Sequence, residues 1–137
     1  IIPETIDFMT WNISNYGFLM YLDRKVPNII KTHANRFIEN LLKGQNINNT
    51  DCEWPIHPGG RAIIEAIAGA VKIPTESLDS TYSVLSKYGN MSSATFLFVL
   101  KEILQKEHTS VKPWSIGIGF GPGLSFEGIL LENYYAK

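Results

Sequence analysis

A length of 137 residues suits one domain around one hydrophobic core, and 45% hydrophobic with 18% charged residues is ordinary for a globular protein. The net charge of −1, with lysines and arginines scattered, excludes the clustered basic surface of a nucleic-acid binder, and no apolar run reaches the roughly 18 residues of a membrane span. A single cysteine, Cys52, excludes an intrachain disulfide and makes a reducing, cytoplasmic compartment the expectation.

The chain opens "IIPETIDFMTW", with neither an initiator methionine nor a polar lead-in, and is expected to be a piece of a longer protein. Residues 1–10 and 13–22 mix apolar and polar side chains without a helical stripe and read as two strands. Pro27 sits where a first helical turn tolerates it, and Ile29, Ile30, Ala34, Phe37, Ile38, Leu41 and Leu42 recur at helical spacing up to Gly44. "GQNINNTD" is a polar loop, and "CEWPIH" a short strand ending at His57. After "PGG", the apolar face Ala62, Ile63, Ile67 and Ala70 predicts a helix. A short helix over 81–87 and the turn "YGNMSS" precede a helix over 94–106. "ATFLFVL" is apolar nearly all round, which predicts a helix buried between layers. Strands over 115–120 and 124–131, joined by a Gly-Pro-Gly turn, close the chain. The fold class is therefore α/β: a mixed sheet of about five strands layered with helices, one of them central and buried. The Asn-x-Ser/Thr triplets at Asn12, Asn48 and Asn90 are expected to be chance occurrences rather than glycosylation sites.

Gly117, Gly119, Gly121 and Gly123, in "GIGFGPG", suggest a phosphate cradle but do not have its pattern. A dinucleotide loop needs Gly-x-Gly-x-x-Gly opening a helix, whereas these glycines alternate and lead into a strand-like "LSFEGILLE". Pro122 also removes a backbone N–H that a cradle would use. The run reads instead as a hairpin whose bare backbone lets a ligand or another strand approach.

Two more stretches place polar groups at element ends, "WPIHPGG" around His57 and "YGNMSS" around Asn90, where they can converge on one pocket. Taken alone, they are better explained by a structural histidine and a turn-forming asparagine. His33, His57 and His108 lack the spacing of metal ligands, so no metal is expected. Cys52 lies five residues before His57 on the same expected strand, and that odd spacing aims it at the opposite face, a structural position.

Together, "WPIHPGG", "YGNMSSA" and "GFGPGLSFEGILL", in this order, resemble the C-terminal half of type III polyketide synthases, the chalcone-synthase-like members of the thiolase superfamily. The opening 27 residues fit the same pattern, so the resemblance covers nearly the whole chain. It implies a thiolase-like domain over 1–137, with His57 and Asn90 as members of a Cys-His-Asn condensing site. The nucleophilic cysteine would belong to an N-terminal half absent here, so the fragment alone is expected to be inactive. The implied reaction is decarboxylative Claisen condensation of malonyl-CoA onto an enzyme-bound acyl thioester, followed by cyclisation, with no cofactor. Implied partners are acyl-CoA and malonyl-CoA, with an acyl-carrier protein as another acyl donor, the N-terminal half, and a second copy in a homodimer.

By the same resemblance Trp11, Met20, Ser92 and the Gly121-Pro122-Gly123 turn line the cavity, while Gly59, Gly60 and Ala62 lie beside the CoA arm. Trp11 stands where chalcone synthase has a small glycine, so it either narrows the cavity or turns into the core. Arg61 either reaches a CoA phosphate or is a solvated surface residue. The alternatives are a ketoacyl-synthase-III-like condensing enzyme, which typically carries His-Gln-Ala-Asn rather than "HPGG", and a non-catalytic thiolase-like scaffold.

Overall fold

The computed structural model describes residues 2–107 and 112–134. Strands β1 (Met9–Ser14) and β2 (Gly17–Leu22) form an antiparallel hairpin, paired from Met9 with Leu22 to Ser14 with Gly17. The Asn15–Tyr16 turn closes at Gly17, whose φ of +110° disfavours a side chain. Both strands start later than the sequence predicts. Residues Pro3–Thr5 form a 3₁₀ turn instead, because Pro3 has no N–H for a ladder and the Thr5 hydroxyl closes onto the Ile2 carbonyl at 2.8 Å.

Helix α1 (Val26–Leu41) begins where Asp23 accepts the Lys25 N–H at 2.8 Å. Val26, Ile30, Ala34 and Ile38, four residues apart, form its buried stripe. Strand β3 (Cys52–Glu53) runs parallel to β4 (Trp114–Gly121), and β4 runs antiparallel to β5 (Ser125–Glu132). Helices α2 (Arg61–Val71), α3 (Asp79–Tyr88) and α4 (Ala94–Leu104) complete the fold. The architecture is the expected α/β one, with its five strands divided between the hairpin and a mixed three-stranded sheet.

Strand alternation explains the layering. Gly128 opens a space filled by Phe37 and Leu41 of α1, whereas Gly117 and Ile129, on the opposite face, meet Phe96 of α4. The sheet is thus packed against α1 on one side, while on the other Phe96 of α4 reaches Gly117 and Ile129 stays 47% exposed. The core under α1 and α2 contains fully buried Ile30, Trp54, Ile56, Ile64, Ile67, Ile116 and Ile118.

Helix α4 departs from the expectation of burial on every side. It buries Thr95, Val99 and Ile103, but Leu97 is 63% exposed and Leu104 50% exposed. An apolar sequence all round allows any face inward, and the α3 contact through Val84 buries Val99 and Ile103 here.

Candidate functional site

His57 stands at the end of a segment gripped from two sides. On one side its N–H donates to the Ile118 carbonyl of β4 at 2.7 Å, and Ile118 N–H donates to Pro55 at 3.1 Å. On the other, where no strand pairs, the buried Thr81 hydroxyl of α3 donates to the Trp54 carbonyl at 3.3 Å and accepts the Ile56 N–H at 3.4 Å. One hydroxyl therefore serves both a donor and an acceptor of an edge segment. The Gly59 N–H then donates to the His57 carbonyl at 2.9 Å, turning the chain into α2 beneath the imidazole. A Cβ at Gly59 would lie 3.9 Å from His57 Nε2, so the ring rests directly over this glycine. Burial pushes the half-buried imidazole pKa down from 6.5, which favours the neutral ring.

Asn90 lies in the turn between α3 and α4. Its Oδ1 accepts the Ser92 N–H at 2.9 Å, so the amide NH2 is the end turned outward. Nδ2 approaches the Gly59 carbonyl at 3.4 Å. Gly59 thus has the Cδ2–Nε2 edge of the His57 ring beside it and the Asn90 amide on its oxygen. Ser92 holds φ +60°, a left-handed conformation that serine adopts at a cost of about 1–2 kcal/mol.

His57, Gly59, Asn90 and Ser92 line a cavity of about 470 Å³ with Trp11 and Met20 of the hairpin and with Gly121 and Pro122 of the last turn. Gly123 is buried beneath that turn, its N–H donating to Met9 at 2.8 Å, which ties the turn to the start of the hairpin. Gly60 and Ala62 lie outside this lining, on the rim where α2 begins, and Ala62 is exposed. Trp11 is 47% exposed, faces the cavity rather than the core, and meets the Phe18 ring edge-on at 6.5 Å. Arg61 pairs with Glu65 at 2.8 Å and lies over the Tyr82 ring, a surface arrangement.

Cys52 is fully buried, and its Sγ donates to the Asn48 carbonyl at 3.3 Å. Burial pushes its thiol pKa up to about 11, so it is a protonated core residue remote in character from a nucleophile. His33 is exposed on α1, and His108 lies outside the described residues.

Sequence reasoning missed other parts of the wall. Met9, Leu22, Ile63, Phe96 and Phe120 make it largely apolar, and Gly119, Ser93 and Glu127 complete it. Glu127 was legible from strand alternation alone: it is two residues before Ile129 and pairs with Gly119, so it shares the face under α4. Phe96 carries no such signal within an all-apolar helix. The site as a whole is an apolar cavity with an imidazole, a carboxamide NH2 and a carboxylate on its wall. Such a wall can hold an acyl chain while donating hydrogen bonds to an oxygen.

Residues 1–134 match the family of chalcone and stilbene synthases, C-terminal domain. The chain is 34% identical over 137 residues to probable polyketide synthase 1 of Dictyostelium discoideum, covering 96% of this chain and 4% of that protein. It is 30% identical over 138 residues to type III polyketide synthase C of Arabidopsis thaliana, covering 96% of this chain and 36% of the relative. The crystal structure of the C-terminal type III polyketide synthase domain of Steely1, a type I/III hybrid from Dictyostelium, superposes with a TM-score of 0.89 at 34% identity, over 96% of this chain and 38% of that one. The chain thus spans well under half the length of these relatives. With its motifs, its fold and these likenesses in agreement, the chain belongs to the chalcone and stilbene synthase family, as the C-terminal domain of a type III polyketide synthase.

Proposed function

We propose that this domain supplies the histidine and asparagine of a site that condenses malonyl-CoA onto an enzyme-bound acyl thioester and then guides cyclisation. The observation that carries the reading is the meeting of His57 and Asn90 over Gly59, on the wall of one apolar cavity. The nucleophilic cysteine belongs to a part of the synthase outside this chain. Cys52, buried and protonated, does not take its place.

A cysteine attacks a thioester as its thiolate, and a neighbouring imidazole takes up the proton. Burial holds the His57 ring neutral on its own, so it is ready to accept that proton when the thiol approaches. Acyl transfer then forms the S–acyl bond and releases CoA as its thiolate, which takes a proton from solvent and leaves His57 protonated. Malonyl-CoA next loses CO2, and the electron pair of the broken C–C bond moves into an enolate whose oxygen bears the charge. His57 Nε2–H and the Asn90 NH2 donate hydrogen bonds to that oxygen. The enolate carbon attacks the acyl carbonyl, and the cysteine thiolate leaves. Asparagine suits this place because it donates at any pH without titrating. The walls built by Trp11, Met20, Phe96 and Phe120 hold the growing chain as it folds for ring closure. A synthase of this family would act on acyl-CoA substrates as a homodimer in the cytoplasm.

The test is incubation of the full-length synthase with labelled malonyl-CoA and a panel of acyl-CoAs, following CO2 release and product mass. Wild type should release CO2, and Asn90→Ala or His57→Gln should each slow it by on the order of 10²–10³. A well-folded wild type that never decarboxylates malonyl-CoA would overturn the reading.

A further inference from the structure

We propose that Thr95 is a positioning residue for this reaction, its buried hydroxyl setting which end of the Asn90 carboxamide faces the substrate. The proposal rests on the reading of Asn90 as an enolate donor. Thr95 is the second residue of α4 and has no exposed surface. Its hydroxyl accepts the Met91 N–H at 2.7 Å and donates to the Ser92 carbonyl at 2.8 Å. Its own N–H donates to the same carbonyl at 3.1 Å. One side chain therefore holds both ends of the Met91–Ser92 unit.

That grip has a consequence one step away. The peptide between those two held ends carries the Ser92 N–H, which donates to Asn90 Oδ1, and Ser92 itself stays at φ +60°, which serine resists. With Oδ1 occupied, the amide turns its NH2 toward Gly59 and the cavity. Without the Thr95 hydroxyl, the Met91 N–H loses its anchor, the Met91–Ser92 peptide turns, and its N–H leaves Oδ1. The carboxamide is then held only by the long 3.4 Å contact to the Gly59 carbonyl and can flip, presenting an oxygen to the enolate, which repels it. Ordinary helix capping accounts for a Thr95 bond to the first turn, but not for this link from Thr95 through Ser92 to Asn90.

The experiment uses the full-length synthase with Thr95→Val, which keeps the shape and removes the hydroxyl, and Thr95→Ser, which keeps the hydroxyl. The readouts are kcat and KM for malonyl-CoA decarboxylation, and the separate rate of acylation by a starter. Thr95→Val should lower the decarboxylation kcat by about tenfold or more, part of the loss on removing a donor. KM and starter acylation should stay near wild type, and Thr95→Ser should restore the rate. In an Asn90→Ala background, Thr95→Val should add no further loss, because the group it positions is gone. If Thr95→Val does not fold, Thr95→Ala carries the same comparisons. A hydroxyl-free variant that decarboxylates normally beside an impaired Asn90→Ala overturns this proposal alone, as does an equal loss in starter acylation or in the Asn90→Ala background. Normal decarboxylation by Asn90→Ala overturns the functional reading with it.

Discussion

Gly117 and Gly119 lie two residues apart on one face of β4, yet the structure gives them opposite tolerances. A Cβ at Gly117 would come within 2.7 Å of both Phe96 and Ile129, whereas a Cβ at Gly119 meets nothing within 4 Å and enters the cavity. Gly119→Val adds three heavy atoms, on the order of 90 Å³ if each occupies about the 30 Å³ of a liquid water. That is roughly a fifth of the 470 Å³ cavity. One polyketide extension adds a methylene and a carbonyl, also three heavy atoms. The valine should therefore displace room for about one extension and shift the main product one unit shorter. Its β-branched side chain suits a strand, so stability should change by less than about 1 kcal/mol. Gly117→Ala should instead destabilise by about 1–3 kcal/mol, because Phe96 and Ile129 both have to move. Mass spectrometry of products from the full-length synthase and denaturant midpoints of both variants check the pair. An unaltered product length from folded Gly119→Val, or a Gly117→Ala variant as stable as wild type, would refute the packing argument.

Trp11→Gly should widen the cavity mouth, lengthening the product or admitting bulkier starters, with little change in stability because Trp11 is already 47% exposed. Unchanged products and starter preference would rule out Trp11 as a determinant. His57 gives a pH signature: its folded pKa is depressed by burial below 6.5, so the folded state takes up its proton later than the unfolded chain. Its contribution to stability is full above that value and is lost as pH falls through the folded pKa. The thermal midpoint of wild type should accordingly fall more steeply than that of His57→Gln as pH drops below about 6.5, and equal slopes would contradict the assigned burial. Cys52, with its pKa pushed up to about 11 and no exposure, should resist iodoacetamide at neutral pH until the protein is unfolded, and Cys52→Ala should retain decarboxylation. Rapid labelling of the native protein, or loss of decarboxylation in a folded Cys52→Ala, would speak against a purely structural cysteine.

Local chemistry was legible wherever neighbours in sequence decide the outcome. Val26, Ile30, Ala34 and Ile38 mark the inner face of α1, and alternation marks β4 and β5, because helix and strand periods impose these spacings on any core. The motifs around His57, Asn90 and Gly121 were readable as short strings for the same reason. The first strand was misplaced because Pro3 and the Thr5 hydroxyl favour a 3₁₀ turn over extension. Helix α4 offered no guide at all, since a surface apolar on every side does not say which stripe turns inward.

By itself the sequence determined the helices, the last two strands and the motifs that hold the candidate site residues, all consequences of order over a few positions. Only tertiary structure decided that Gly59 should bear both the His57 ring and the Asn90 amide, and that Gly117 should be filled while Gly119 stays open. Those outcomes depend on how β4, α2 and α4 pack. Packing brings together side chains tens of residues apart, where no local spacing rule reaches.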